Sequence, residues 1–185
     1  MNFIKTKIPE LIIVEPDVHG DDRGYFVETF KQNEFEKAVG YKINFIQDNE
    51  SKPSYGVLRG LHYQLSPYPQ SKLVRVIEGS VLDVAVDIRV GSPTFGDHVI
   101  CELTGDNKRQ FFIPQGFAHG FVVTSKTATF AYKVDNYYAP DHDRGIAFND
   151  PDINIDWQVE KQNLLLSKKD TLQPKLEQTT QLFDY

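Results

Sequence analysis

The 185 residues, 40% hydrophobic and 25% charged, suffice for one globular domain over residues 1–185 that buries roughly 70% of its unfolded surface. A net charge of −6 argues against nucleic acid as a partner, since phosphate binding leaves a basic footprint; the single cysteine, Cys101, excludes an internal disulfide and fits a reducing compartment. No stretch approaches the ~20 apolar residues of a bilayer span, and Met1 to Lys7 lacks the apolar run of a signal peptide, so the expectation is a cytoplasmic protein without a membrane partner.

In chain order, Tyr25 to Phe30 alternates well enough to form a strand whose edge invites pairing. A helix follows, with Asn33 as its cap, Glu36 at the reciprocal capping position, Phe35, Ala38 and Val39 at helical spacing, and Gly40 as the stop. From residue 43 to 134, short β-branched and aromatic runs alternate with turn chemistry such as Pro53-Ser54-Tyr55-Gly56, Gly91-Ser92-Pro93 and Thr104-Gly105-Asp106-Asn107. That rhythm predicts an antiparallel sandwich or barrel. Lys72 to Ile77 and Val81 to Arg89 read as a hairpin around Gly79. In its second strand Leu82, Val84, Val86 and Ile88 share one face, and Asp83, Asp87 and Arg89 lie on the other with Ala85 between them. Phe130 and Tyr132 share an interior face, where the Tyr132 hydroxyl needs a partner. Near the C-terminus, Leu164 to Leu166 leads into a short helical turn at Ser167 to Asp170.

The segment Arg59-Gly60-Leu61-His62-Tyr63-Gln64 places one imidazole in a short strand, ten residues ahead of Lys72. A lone histidine is more often a satisfied core residue. Next to a fixed cation and flanking arginines, an imidazole that titrates near neutrality suits the handling of an acidic carbon on an anionic substrate. Strict alternation puts Arg59 and His62 on opposite faces, so both reach one ligand only if Gly60 bulges the strand or the anion leaves at the barrel rim; the bulge is the favoured reading.

These segments resemble the dTDP-4-dehydrorhamnose 3,5-epimerase family from about Ile4 to Lys175. The resemblance rests on Asp22-Arg23-Gly24-Tyr25-Phe26, Gln47-Asp48-Asn49, the His62 segment, Lys72-Leu73-Val74-Arg75, Ser92-Pro93-Thr94-Phe95-Gly96, Ile113 to Phe121 and Tyr132-Lys133 in this order. It implies an all-β, cupin-like jelly roll with a few short helices. It also implies an isomerase that inverts C3 and C5 of a dTDP-linked 4-keto-6-deoxyhexose through enolates, in L-rhamnose biosynthesis, without a cofactor or metal. On this resemblance His62 is the base, Asp170 orients it, Lys72 faces the developing oxyanion and Tyr132 is the acid. Arg23 and Arg59 match diphosphate-binding positions. Glu28, Gln47, Asp48, Asn49, Lys72, His119 and Lys169 match further substrate contacts, and Tyr138 matches an aromatic that stacks on thymine. Asp143 stands where the family usually carries Glu, and Ser71 where Gly is usual. The family often exchanges an N-terminal strand in a homodimer, which brings Arg23 and Glu28 into the neighbour's site.

Three other readings stay open on the sequence. A metal-dependent cupin commonly pairs two histidines one residue apart, but Gln64 follows His62 and only His119 remains as an obvious partner. A non-catalytic sugar-nucleotide binder does not require His62, Lys72, Tyr132 and Asp170 together. An enzyme inverting only C3 or only C5 shares the same base and acid, so the motifs do not separate it from a two-centre epimerase.

Overall fold

Fifteen short strands, one α-helix and four 3-10 turns make up the regular structure of the computed structural model, which describes residues 1–185. The strands are β1 (Asn2–Lys5), β2 (Ile12–Glu15), β3 (Val18–Asp21), β4 (Gly24–Val27), β5 (Gln47–Ser51), β6 (Leu58–Gln64), β7 (Lys72–Glu78) and β8 (Ser80–Asp87). They continue with β9 (Arg89–Val90), β10 (His98–Thr104), β11 (Gln110–Ile113), β12 (Phe117–Val123), β13 (Thr129–Val134), β14 (Asp143–Gly145) and β15 (Phe183–Asp184); the helix α1 is Gln32–Val39. A six-stranded sheet runs β1-β2-β11-β7-β13-β5 and a five-stranded sheet runs β10-β8-β12-β6-β14, every pair antiparallel. The inner faces interdigitate: Val74, Val76, Phe111 and Phe130 of the first pack with Val81, Ala85, Phe121 and Val123 of the second in one buried cluster. Two facing antiparallel sheets with this crossing order form a jelly roll.

The expected hairpin around Gly79 does not form. β7 and β8 lie in different sheets and pair with β11 and β13, and with β10 and β12, respectively. Gly79 turns the corner between sheets at φ 81°, in a place where an added Cβ would sit 2.1 Å from the Thr127 carbonyl oxygen. A glycine turn between two alternating runs is compatible with either outcome, and tertiary packing decides.

Helix α1 starts earlier than its capping pattern suggests. Lys31, not Asn33, occupies the N-cap and makes no side-chain cap. Glu36 instead accepts from Gln32 Nε2 at 2.7 Å and from the Ile43 amide at 3.2 Å, fastening the helix to the chain that leaves it. Gly40 ends the helix in the left-handed conformation at φ 87°, as expected. Phe35 is driven under the helix into a cluster with Ile12, Val14, Ile43, Leu73 and Phe112.

The five-stranded sheet is covered on its outer face too. Leu82, Val84, Val86 and Ile88 meet Ile146, Ile153, Trp157 and Leu176 of the C-terminal segment. β8 is therefore buried on both faces, and Asp83 and Asp87, on its inward face, are completely buried. Asp87 is neutralised by Arg89 and hydrogen-bonded by Ser92 and Thr94. No helix is long and apolar enough to cross a membrane.

The bulge in β6 is present. His62 faces His119 and Arg59 faces Phe121, so three steps along β6 match two along β12. Gly60 sits within this irregularity at φ 129°, and an added Cβ would lie 2.5 Å from Gly120 Cα and 2.8 Å from the His119 carbonyl oxygen. Gly24 has nearly the same φ, 130°, but open space around it. Gly24→Ala should thus cost about 1 kcal/mol of backbone strain. Gly60→Ala should cost at least about 2 kcal/mol more, because backbone would meet backbone. Denaturant unfolding of the two variants measures the difference, and equal losses would remove the close approach as the reason for glycine.

Candidate active site

A cavity of about 300 Å³ is walled by Gln47 and Asn49 of β5, His62, Tyr63 and Gln64 of β6, Gln70, Lys72 at the start of β7, Tyr132 of β13, Tyr138 and Asp143. Residues from both sheets thus converge on one space, with His62 from the five-stranded sheet and Tyr132 and Lys72 from the six-stranded one.

His62 is joined to Asp170 through Nε2, 2.5 Å from the carboxylate Oδ1. Asp170 arrives on a 3-10 turn, and its second oxygen accepts from Ser167 Oγ at 2.7 Å. Burial works to raise Asp170, but the hydrogen bonds from His62 and Ser167 prevail and hold the carboxyl below the usual carboxylate range. An ionised Asp170 accepts a hydrogen bond from Nε2–H, so in the neutral ring the lone pair lies on Nδ1. No group in the chain bonds Nδ1, and the ring borders the cavity.

Tyr132 packs against Phe130 at 5.9 Å between ring centroids. The intramolecular partner expected for its hydroxyl is absent, and the residue lines the cavity. Desolvation pushes the phenol up, with Arg59 opposing, so it stays protonated at neutral pH. Lys72 makes no ion pair or hydrogen bond within the chain. Desolvation lowers its ammonium, Asp143 and Asp83 counter this, and Lys169 adds to it.

At one side Asp143 Oδ2 accepts from the exposed Tyr138 hydroxyl at 2.9 Å and pairs with Lys169. Gln64 is fully engaged: its Nε2 donates to the Tyr68 and Tyr137 carbonyls at 2.7 and 3.2 Å, and its Oε1 accepts from the Ala139 amide at 2.8 Å. It holds the segment that carries Tyr138. Gln47 donates to Asn49 at 2.7 Å, which fixes both amides on the same face of β5. Arg59 is exposed and has no carboxylate partner, a free fork of donors near Tyr132.

Other sequence-derived candidates lie elsewhere within the single chain. Asp48 points to the opposite face of β5 and pairs with Lys133 at 2.9 Å. Arg23 is exposed on the β3–β4 hairpin and forked onto Asp21, and Glu28 approaches Lys31 at 3.5 Å. His119 is buried beside His62 and bonded to Asp83. Several residues of the site escaped sequence reasoning, among them Tyr63, Gln64 and Gln70 in the cavity wall. Ser167 had a legible signal, a hydroxyl residue three before Asp170 at the entry to a turn. Asp83 was visible only as one of two acids in a largely apolar strand.

No three or more His, Cys, Asp or Glu side chains gather in an arrangement able to hold a metal ion. A jelly roll with a free imidazole nitrogen, an unpaired ammonium and a protonated phenol around one cavity defines a class: a proton-transfer site for a carbon acid beside a carbonyl. Residues 5–178 match the dTDP-4-dehydrorhamnose 3,5-epimerase family. The chain belongs to that family. It is 59% identical over 170 residues to the dTDP-4-dehydrorhamnose 3,5-epimerase of Shigella flexneri, covering 92% of this chain and 93% of the relative. The Escherichia coli enzyme of that name is 54% identical, over 92% of this chain and 91% of the relative. Among solved structures, dTDP-6-deoxy-D-glucose-3,5-epimerase from Legionella pneumophila in complex with dTDP-4-keto-L-rhamnose superposes with a TM-score of 0.96 at 50% identity, covering 100% of this chain and 98% of that one.

The depressed Asp170 carboxyl has a stability consequence. Its stabilisation is fully present above the ordinary value of 3.8 and is lost as pH falls through the lower folded value. Asp170→Asn should therefore be clearly less stable than the parent at pH 7, and the gap should narrow by pH 3. Urea titrations at both pH values measure it; a gap that stays constant would show that the carboxylate charge is not what stabilises.

Proposed function

We propose that the protein is an epimerase that inverts C3 and C5 of dTDP-4-dehydro-6-deoxy-D-glucose to give dTDP-4-dehydro-L-rhamnose. The ketone at C4 acidifies the hydrogens on both flanking carbons. His62 Nδ1 removes one, Asp170 stabilises the resulting imidazolium, and the Lys72 ammonium faces the enolate oxygen. Tyr132 returns a proton to the opposite face. Each centre loses and regains one proton, so the chemistry is redox-neutral and calls for no cofactor or metal.

The observation that carries this reading is the placement of base and acid on opposite sheets. Inversion requires two proton-transfer groups on opposite faces of one carbon, and His62 and Tyr132 border the same cavity from the two sides of the sandwich. The free Arg59 guanidinium suits the diphosphate, and Tyr138, held through Asp143 and Gln64, offers a face for the base. Gln47, Asn49, Asp143 and Lys169 supply polar contacts at the sugar and its rim.

The working unit proposed is a homodimer of single-domain chains in the cytoplasm, with the N-terminal hairpin exchanged between copies. The β3–β4 hairpin exposes Val18, Tyr25 and Phe26. Exposed apolar residues on a two-stranded arm favour a covering partner. Exchange would carry Arg23 and Glu28 to the neighbour's site, which explains their distance from the cavity of their own chain. A monomeric mass by light scattering with full activity would sink this part.

The activity is tested with dTDP-4-keto-6-deoxyglucose in deuterated water, with C3 and C5 followed by NMR. Deuterium at both centres is expected; label at one centre only would make the protein a single-centre epimerase. His62→Ala should lose both turnover and exchange, whereas Tyr132→Phe should block inversion and keep some exchange, because His62 still returns solvent hydrogen to the original face. Each loss should be on the order of 10²–10⁴-fold. Wild-type exchange in His62→Ala, or normal inversion in Tyr132→Phe, would reject the assignment.

A further inference from the structure

Behind the His62–Asp170 pair lies a second imidazole–carboxylate pair that the reaction described above leaves unused. His119 on β12 is the direct cross-strand partner of His62, and of Ala85 on β8, two residues from Asp83. Asp83 is wholly buried on the inner face of β8. Its two carboxylate oxygens both lie 3.0 Å from His119 Nε2.

Burying a carboxylate among valines and phenylalanines is costly, and an aliphatic residue of similar volume would serve the core better. The equal distances to both oxygens fit one N–H shared by an ionised carboxylate. A carboxylic acid donating to an imidazole would instead approach through one oxygen. Asp83 thus holds the Nε2 proton, and Nδ1 of His119 is left as an acceptor. That nitrogen has no partner in the chain, yet no fully buried side-chain nitrogen or oxygen lacks one. Nδ1 therefore keeps some exposure, next to His62 and Lys72, which line the cavity.

We infer that Asp83 is a positioning residue: it holds His119 so that the other ring nitrogen is a hydrogen-bond acceptor for a substrate hydroxyl, and it supplies one of the negative charges near Lys72. The inference rests on the epimerase reading for the roles of hydroxyl and oxyanion. It divides labour between two groups that a sequence leaves interchangeable. An imidazole forced to accept cannot donate to the keto oxygen, so stabilisation of the enolate falls to Lys72 alone.

The charges around this pair come from several elements. Lys72 is faced by Asp83 from β8 and by Asp143 and Lys169 from the rim; Asp83 and Asp143 support the ammonium and Lys169 opposes it. Burial pushes the Asp83 carboxyl up, and His119 and Lys72 oppose this, with Cys101 of β10 opposite it in register. His119 has His62 and Lys72 nearby, and the Tyr132 phenol, with Arg59 near it, borders the cavity that His62 and Lys72 line. Removing the Asp83 charge takes away one of the two groups that hold the Lys72 pKa up, so that pKa must fall.

The test has one arm that needs no variant and no substrate. In the wild-type protein labelled with ¹⁵N-histidine, His119 should show a protonated Nε2 and a bare Nδ1 at neutral pH; the opposite tautomer or an imidazolium overturns the inference. The second arm is Asp83→Asn, isosteric and able to keep the hydrogen bond while losing the charge. Titration of ¹³Cε-labelled Lys72 should shift toward lower pH by about 1 unit, the scale of one nearby opposite charge. The alkaline limb of the kcat profile should move with it, while the acid limb stays. A uniform drop in kcat with both limbs and the Lys72 titration unmoved would reduce Asp83 to a core residue and reject the proposal. Should Asp83→Asn fail to fold, the tautomer measurement alone decides. Should the wild-type protein exchange no sugar hydrogens, the epimerase reading fails, and the two titrations still judge whether Asp83 sets the states of His119 and Lys72.

Discussion

The site depends on the close approach of two backbones, Gly60 of β6 and Gly120 of β12. An extra residue in β6 at that point shifts the strand by one position. Without it, Arg59 and His62 would face opposite sides of the sheet, one toward the cavity and the other toward the C-terminal cover. With it, a guanidinium and an imidazole three residues apart lie on the same face of the strand. The contact leaves no room for a side chain on Gly60, whose Cβ would fall 2.5 Å from Gly120 Cα. A steric constraint of a few tenths of a nanometre thus settles which side chains act together.

Around that constraint the fold places charges in graded surroundings. Asp170 is shielded but receives two hydrogen bonds, and stays ionised. Lys72 and Tyr132 have no internal partner and face the cavity, so a ligand supplies the contacts that the chain withholds. Asp87, equally deep, is matched by Arg89, Ser92 and Thr94 and has a purely architectural role. Two acids four residues apart on β8 are buried for different reasons. What distinguishes them is the completeness of their hydrogen bonding, since Asp83 is matched only by an imidazole.

Much of this was legible from residue order. Period-two patterning located the strands between 43 and 134, and the clash between alternation and function located the bulge at Gly60. The pairing of strands was less accessible. Gly79 reads as a hairpin turn, and only the apolar content of both faces of β8 would have suggested a strand sandwiched between a second sheet and a C-terminal cover. The helix cap moved from Asn33 to Lys31 because Glu36 is recruited by Gln32 and Ile43, contacts with no fixed spacing. The motif Gln47-Asp48-Asn49 names three adjacent residues, but a strand can turn only the outer two toward one cavity. Asp83 was placed on the right face of its strand, yet nothing local indicates whether that face meets solvent or a second sheet.

The route by which Asp170 reaches His62 has a consequence for biogenesis. The imidazole sits on a strand that ends at Gln64, and its carboxylate partner is synthesised 108 residues after it. That carboxylate belongs to the segment that lies along β6, where Leu165 exchanges backbone hydrogen bonds with Gly56 and Leu58, and Ile146 with Leu61. The imidazole therefore lacks its carboxylate until this segment has been made and has docked. The same segment covers the outer face of the five-stranded sheet, so its docking buries that face and completes the imidazole–carboxylate pair together.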